Sequence, residues 1–103
     1  MNCREEFLDA IAGHPILCAE IRYDNDNNDV SKTILLHIGF IISNSLYFLK
    51  ELDFEYDSES SNQKLFGIIW YKDGSWSERS VCGGSERWVY KSCPKIPEEL
   101  MNS

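Results

Sequence analysis

Residues 65–90, LFGIIWYKDGSWSERSVCGGSERWVY, decide the fold. Two turn signals, Asp73–Gly74 and Gly83–Gly84, cut this stretch into three runs of strand length. A two-residue turn at Asp73–Gly74 sets Lys72 opposite Ser75, Tyr71 opposite Trp76 and Trp70 opposite Ser77. The second turn sets Cys82 opposite Ser85 and Arg79 opposite Trp88. This register collects Phe66, Ile68, Trp70, Val81, Trp88 and Tyr90 on one face, which is expected to lie under a helix. Tyr71, Trp76, Glu78, Arg87, Val89 and Lys91 fall on the other, solvent-facing side. A shift of one residue would exchange the faces.

Upstream of this meander, residues 4–13 read as a helix. Phe7, Leu8, Ile11 and Ala12 recur at helical spacing, Glu5 and Glu6 suit its positive end, and Gly13 and Pro15 stop it. Residues 16–23 alternate as a strand, with Leu17, Ala19, Ile21 and Tyr23 as the better core face. The DNDNNDVS run that follows is a polar loop, and it lacks the Gly and the final Glu of an EF-hand. Residues 33–38 read as a second strand. Residues 43–52 read as a helix with Ser43 as a cap and Leu46, Phe48, Leu49 and Leu52 as its apolar stripe. Residues 94–103 contain Pro94 and Pro97 and read as an extended tail anchored by Ile96 and Leu100. The fold class is α+β: a small single domain over residues 1–103, two helices on an antiparallel sheet of about five strands, ending in a three-stranded meander.

The chain has 103 residues, with 17 acidic and 10 basic side chains and a formal charge of −7. That length holds one domain and excludes a dinucleotide fold with a second domain. Lys and Arg are not clustered, which argues against direct nucleic-acid binding and against an anionic membrane surface. The uncharged stretch 34–49 is interrupted by His37, Ser43, Asn44 and Ser45 and is short for a membrane span. The N-terminal residues do not read as a secretory signal, so a cytoplasmic protein with reduced thiols is expected. Cys3, Cys18, Cys82 and Cys93 have no zinc-type spacing, and no metal or cofactor is expected. Cys18 reads as a buried thiol, and Cys3 as a reactive thiol near a fraying end.

The most unusual pattern is ELDFEYDSE, with Glu51, Asp53, Glu55, Asp57 and Glu59 on alternate positions. In an extended segment these carboxylates line one side while Phe54 and Tyr56 turn inward. Two strand residues advance about 6.6–6.8 Å, close to two phosphate steps of about 3.4 Å along a DNA strand. A solvated face is the commoner origin of such a row. A partner-facing acidic edge is the sharper reading. Tyr71 and Trp76, taken as an exposed aromatic pair, add anchors of the kind enriched at interfaces. These seven residues form the candidate partner-binding surface, and the expected partner is a protein with a basic surface. The leading expectation is a non-catalytic accessory, regulatory or inhibitory protein, its acidic row resembling nucleic-acid charge. The alternatives are a small enzyme or ligand-binding protein with a polar site at Cys18, Glu20 and His37, and a structural oligomer subunit using a strand edge. His14, before a proline, reads as exposed or capping, and His37 as a structural histidine in an apolar strand. No G-x-S-x-G, H-E-x-x-H or phosphate-binding glycine loop is present.

Overall fold

Strand pairing begins from the two tight turns, and their lengths set the faces of the sheet. In the computed structural model, which describes residues 1–24, 31–56, 63–94 and 96–101, the chain order is α1 (Cys3–Ile11), β1 (Ile16–Asp24), β2 (Ser31–Leu36), α2 (Ile42–Glu51), β3 (Leu65–Tyr71), β4 (Trp76–Cys82), β5 (Ser85–Lys91) and α3 (Glu98–Met101). The five strands form one open sheet in the order β2-β1-β3-β4-β5, and every neighbouring pair is antiparallel. The expected α+β fold, two main helices on a five-stranded antiparallel sheet with a C-terminal meander, is the one observed. The joining of the first hairpin to the meander is made by β1 lying beside β3.

The Gly83–Gly84 turn has two residues, both with positive φ, and pairs Cys82 with Ser85 and Arg79 with Trp88 as expected. The first turn differs. Gly74 N–H donates to the Tyr71 carbonyl, and Tyr71 N–H donates to the Ser75 carbonyl. Gly74 has φ +91. This is a three-residue turn closed by a glycine bulge, one residue longer than the expected two. Trp70 therefore lies opposite Trp76, and Ile69 opposite Ser77. The added residue turns β3 over relative to the expected register. Tyr71 is buried and Trp70 faces outward. Phe66, Ile68 and Trp70 are thus not under a helix, whereas Trp88 packs against the core as expected.

All the sheet's buried apolar residues lie on one face. Ala19 and Ile21 of β1, Ile34 and Leu36 of β2, and Leu65, Ile69 and Tyr71 of β3 pack with Phe7 of α1, Phe48 of α2 and Leu52, which caps its C-terminus. The Phe7 and Phe48 rings meet edge to face at 5.2 Å, the favoured aromatic geometry. α1 starts where Asn2 Oδ1 accepts the Glu5 N–H at 3.0 Å, a favourable cap. At α2 the capping position is Ile41, not Ser43, and Asn44 Oδ1 accepts the Ile41 N–H. Leu46, expected in the apolar stripe, is exposed. The tail also departs from expectation, because residues 98–101 form the short α3 after Pro97. Ile96 and Leu100 are exposed and anchor nothing.

Beneath α1, one guanidinium joins several elements. The Arg79 side chain has no exposed surface. It donates to Glu86 Oε1 at 2.7 Å, to the Tyr56 hydroxyl at 2.8 Å and to Glu6 Oε2 at 3.2 Å. Glu86 also accepts the Lys64 and Leu65 N–H groups. Burial raises the Glu6 carboxyl above its ordinary range, outweighing the pull of Arg79.

Two expectations follow. Gly67 faces Ile21 with φ +153, and a Cβ there would stand 2.2 Å from the Glu20 carbonyl oxygen, backbone that cannot swing aside. Gly67→Ala should lower unfolding free energy in urea by about 3 kcal/mol or more, and a loss below about 1 kcal/mol would contradict the β1–β3 packing. Glu86→Gln leaves a buried guanidinium short of its counter-charge and should cost about 3 kcal/mol. The double variant Arg79→Met/Glu86→Gln should cost less than the sum of the Arg79→Met and Glu86→Gln losses, and additive losses would contradict the pairing.

Candidate functional site

With both main helices on one face, the opposite face of the sheet has no described helix over it. Along it stand Cys18, Glu20 and Arg22 of β1, Phe66, Ile68 and Trp70 of β3, Trp76 and Glu78 of β4, and Val89 and Lys91 of β5, as strand alternation dictates. Trp70 and Trp76 are directly opposite across β3–β4. On either side, Cys18 is opposite Trp70, and Lys91 is opposite Trp76.

Charges on this face are mostly matched internally. Lys91 pairs with Glu78. Arg22 lies 3.4 Å from Asp24 and sits over the Phe66 ring, 4.5 Å from its centre, a cation–π contact. Glu20 is exposed and has no ion pair among the described residues. It is opposite Ile68 on one side and Leu35 on the other. Two shallow depressions meet at Glu20 and Trp70. One, of about 240 Å³, includes Arg22, Phe66 and Ile68. The other, of about 410 Å³, includes Cys18, Leu35, His37 and Ile38.

The alternative site at Cys18, Glu20 and His37 is therefore brought together around one open depression. Its chemistry is less favourable than its placement. His37 lies just beyond β2 and is exposed, not a structural histidine within the strand. Cys18 is half-buried, and desolvation pushes its thiol up, away from the thiolate that a nucleophile requires. No hydrogen bond links Cys18 to His37 or Glu20 among the described residues. Cys3 is fully buried with its thiol pushed up to about 12, so it is the least reactive thiol and not a fraying one. His14 is neither a cap nor free: it packs against both the Tyr71 and Tyr90 rings, at 4.9 and 4.7 Å, in a three-ring cluster whose tyrosines are 6.0 Å apart.

The acidic row is split. Glu51 ends α2 and pairs with Lys32 at 3.1 Å, which holds its carboxyl below the usual range. Asp53 and Glu55 are exposed and both accept from Asn2 Nδ2 at 3.2 Å. Between them Phe54 packs against the core, and Tyr56 beyond is buried, as the alternation anticipates. Asp57 and Glu59 lie outside the described residues, as do residues 25–30 of the polar loop. Tyr71 is 1% exposed and belongs to the core, where its hydroxyl donates to the Ala10 carbonyl and bonds Ser77. The outward-facing aromatic pair is the exposed Trp70 with the half-buried Trp76.

Among the described residues, no group of three or more His, Cys, Asp or Glu side chains is arranged to hold a metal ion. No described helix is long and apolar enough to cross a membrane. Comparisons with protein-family models, curated proteins and solved structures return no match.

Alkylation of the native chain separates the binding face from a thiol active site. Iodoacetamide at neutral pH should modify the exposed Cys82 and Cys93 first, Cys18 more slowly, and Cys3 only after unfolding. The Cys18 rate should keep rising above the ordinary thiol range. Fastest reaction at Cys18 near pH 7 would restore the nucleophile reading.

Proposed function

We propose that this chain is a non-catalytic protein-binding domain, an accessory or inhibitory protein of the cytoplasm, and that it meets its partner through the uncovered face of its sheet. The observation that carries this reading is the opposed pair Trp70 and Trp76, set among Phe66, Ile68 and Leu35 with no helix above them. Contiguous apolar surface of this kind marks interaction sites, and tryptophan is the residue most enriched at binding hot spots. The occupant is a protein with an apolar patch beside a Lys or Arg side chain. Glu20 supplies the carboxylate for that cation, and the Trp70 ring beside it favours cation–π contact. The overall charge of −7 supplies longer-range attraction to a basic partner.

Asp53 and Glu55 belong to this reading as steering charges on an exposed acidic edge. In its sharpest form that edge competes for a basic groove that otherwise holds a nucleic-acid backbone, and their exposure at alternate positions favours it. Neutralising them should slow association and reduce its salt dependence, with little effect on dissociation.

The test is comparative capture followed by titration. Wild type retains a host protein whose affinity Trp70→Ala weakens by about thirtyfold, equivalent to about 2 kcal/mol. Glu20→Gln weakens it less and flattens its response to salt. A captured protein that binds the Trp70→Ala and Trp76→Ala variants as tightly as wild type would contradict the proposed face.

A further inference from the structure

From Thr33 to Leu49 the sequence carries no Asp, Glu, Lys or Arg, although the chain as a whole has a net charge of −7. This stretch supplies most of β2, the following connection and nearly all of α2. α2 runs back along β2. Glu51, at its end, meets Lys32 near the start of the strand, while Asn44 and Tyr47 share a depression of about 270 Å³ with Leu35, Ile38 and Phe40 at the strand's far end. Ile38 is 70% exposed and Ile42 is 77% exposed, and Ile41, Leu46 and Tyr47 are also largely in solvent. β2 is an edge strand, paired only with β1. The other edge, β5, carries Arg87, which has no ion pair among the described residues, and is followed by Pro94, whereas the one basic residue of β2, Lys32, is paired with Glu51, just as Lys91 of β5 is paired with Glu78.

We infer that a second copy of this chain docks on this uncharged surface, in a two-fold contact formed by the free edge of β2, the His37–Ile41 connection and the exposed side of α2. Two copies repel each other through their net charge, so self-association is favoured only where neither copy presents charge. Here the uncharged stretch coincides with the unguarded strand edge. A basic partner finds no carboxylate here to complement, while an identical apolar surface matches it. A closed two-fold pair also covers both free β2 edges at once and leaves none for further growth. This contact borders the Trp70–Trp76 face at Leu35, His37 and Ile38, but its centre, the β2 edge and the exposed side of α2, lies apart from the tryptophan pair, and Tyr47 belongs to the self-contact alone.

Sedimentation velocity across micromolar concentrations tests the inference on the full chain. The mass should move from one copy to two as concentration rises. Added salt should tighten the pair, because it screens charge repulsion and leaves the apolar contact intact. Ile38→Glu and Tyr47→Glu should each weaken the pair by about tenfold or more, with circular dichroism and urea unfolding unchanged. Trp70→Ala should leave it intact. A single-copy mass at every concentration and salt would overturn the inference. So would a pair that salt dissociates, or one lost in Trp70→Ala and kept in Ile38→Glu.

Discussion

The buried guanidinium of Arg79 is the constraint on which the meander's half of the structure depends. It satisfies Glu86 from the neighbouring strand, the Tyr56 hydroxyl from the segment after α2, and Glu6 from α1. Through Glu86 it also fixes the entry to β3, because that carboxylate accepts the N–H groups of Lys64, just before the strand, and of Leu65, its first residue. A buried ion pair adds little over a well-packed apolar replacement, but the loss of one member leaves an uncompensated charge. Glu6 Oε1, Arg79 Nε and Trp88 Nε1 are buried without a hydrogen-bond partner among the described residues, a cost carried by the same cluster. Because α1, β3, β4 and β5 all converge on this group, α1 is held over one side of the sheet. With α2 packed on that side as well, the other side is left open.

That asymmetry gives the surface its meaning. Alternation along β3 sends Ile69 and Tyr71 into the core and Trp70 and Ile68 out. The outward residues are bulky and apolar, and only neighbouring side chains such as Arg22 over Phe66 shield them. Their charged neighbours are largely satisfied within the chain, by the Lys91–Glu78 and Arg22–Asp24 pairs. Glu20 stands apart as a carboxylate between two apolar depressions. A face of this composition gains from desolvation by a partner and offers one directional charge to select it.

Much of the fold was legible because its signals are local. The Gly83–Gly84 turn, the alternation of residues 18–23, the helical spacing around Phe7 and the inward turn of Phe54 and Tyr56 each rest on a few adjacent residues. Leu17, expected on the core face of β1, is instead exposed, because a bulge between Ile16 and Cys18 breaks the alternation and Ile16 packs against the core. The β4–β5 register also places Arg79 and Glu86 on the inward face at diagonal positions, so the central ion pair was within reach of sequence reasoning. The Asp73–Gly74 turn was harder. Two-residue and three-residue turns both use Gly at the left-handed position, and the choice between them exchanges Tyr71 for Trp70. The roles of Cys3, Ile96 and Leu46 depend on tertiary packing, which periodicity does not encode. Trp70, on which the proposed face rests, was hidden by the same one-residue difference, whereas Glu20 was legible as a residue of the alternative polar site on β1.

Hydroxyl-radical footprinting of the chain, with and without its captured partner, tests most directly whether the uncovered sheet face is the contact surface. Protection of Trp70, Trp76 and Phe66, with Lys50 and the exposed side of α1 unchanged, is the result expected. Protection confined to the helical side, with Trp70 and Trp76 oxidised at the same rate in both samples, would contradict it.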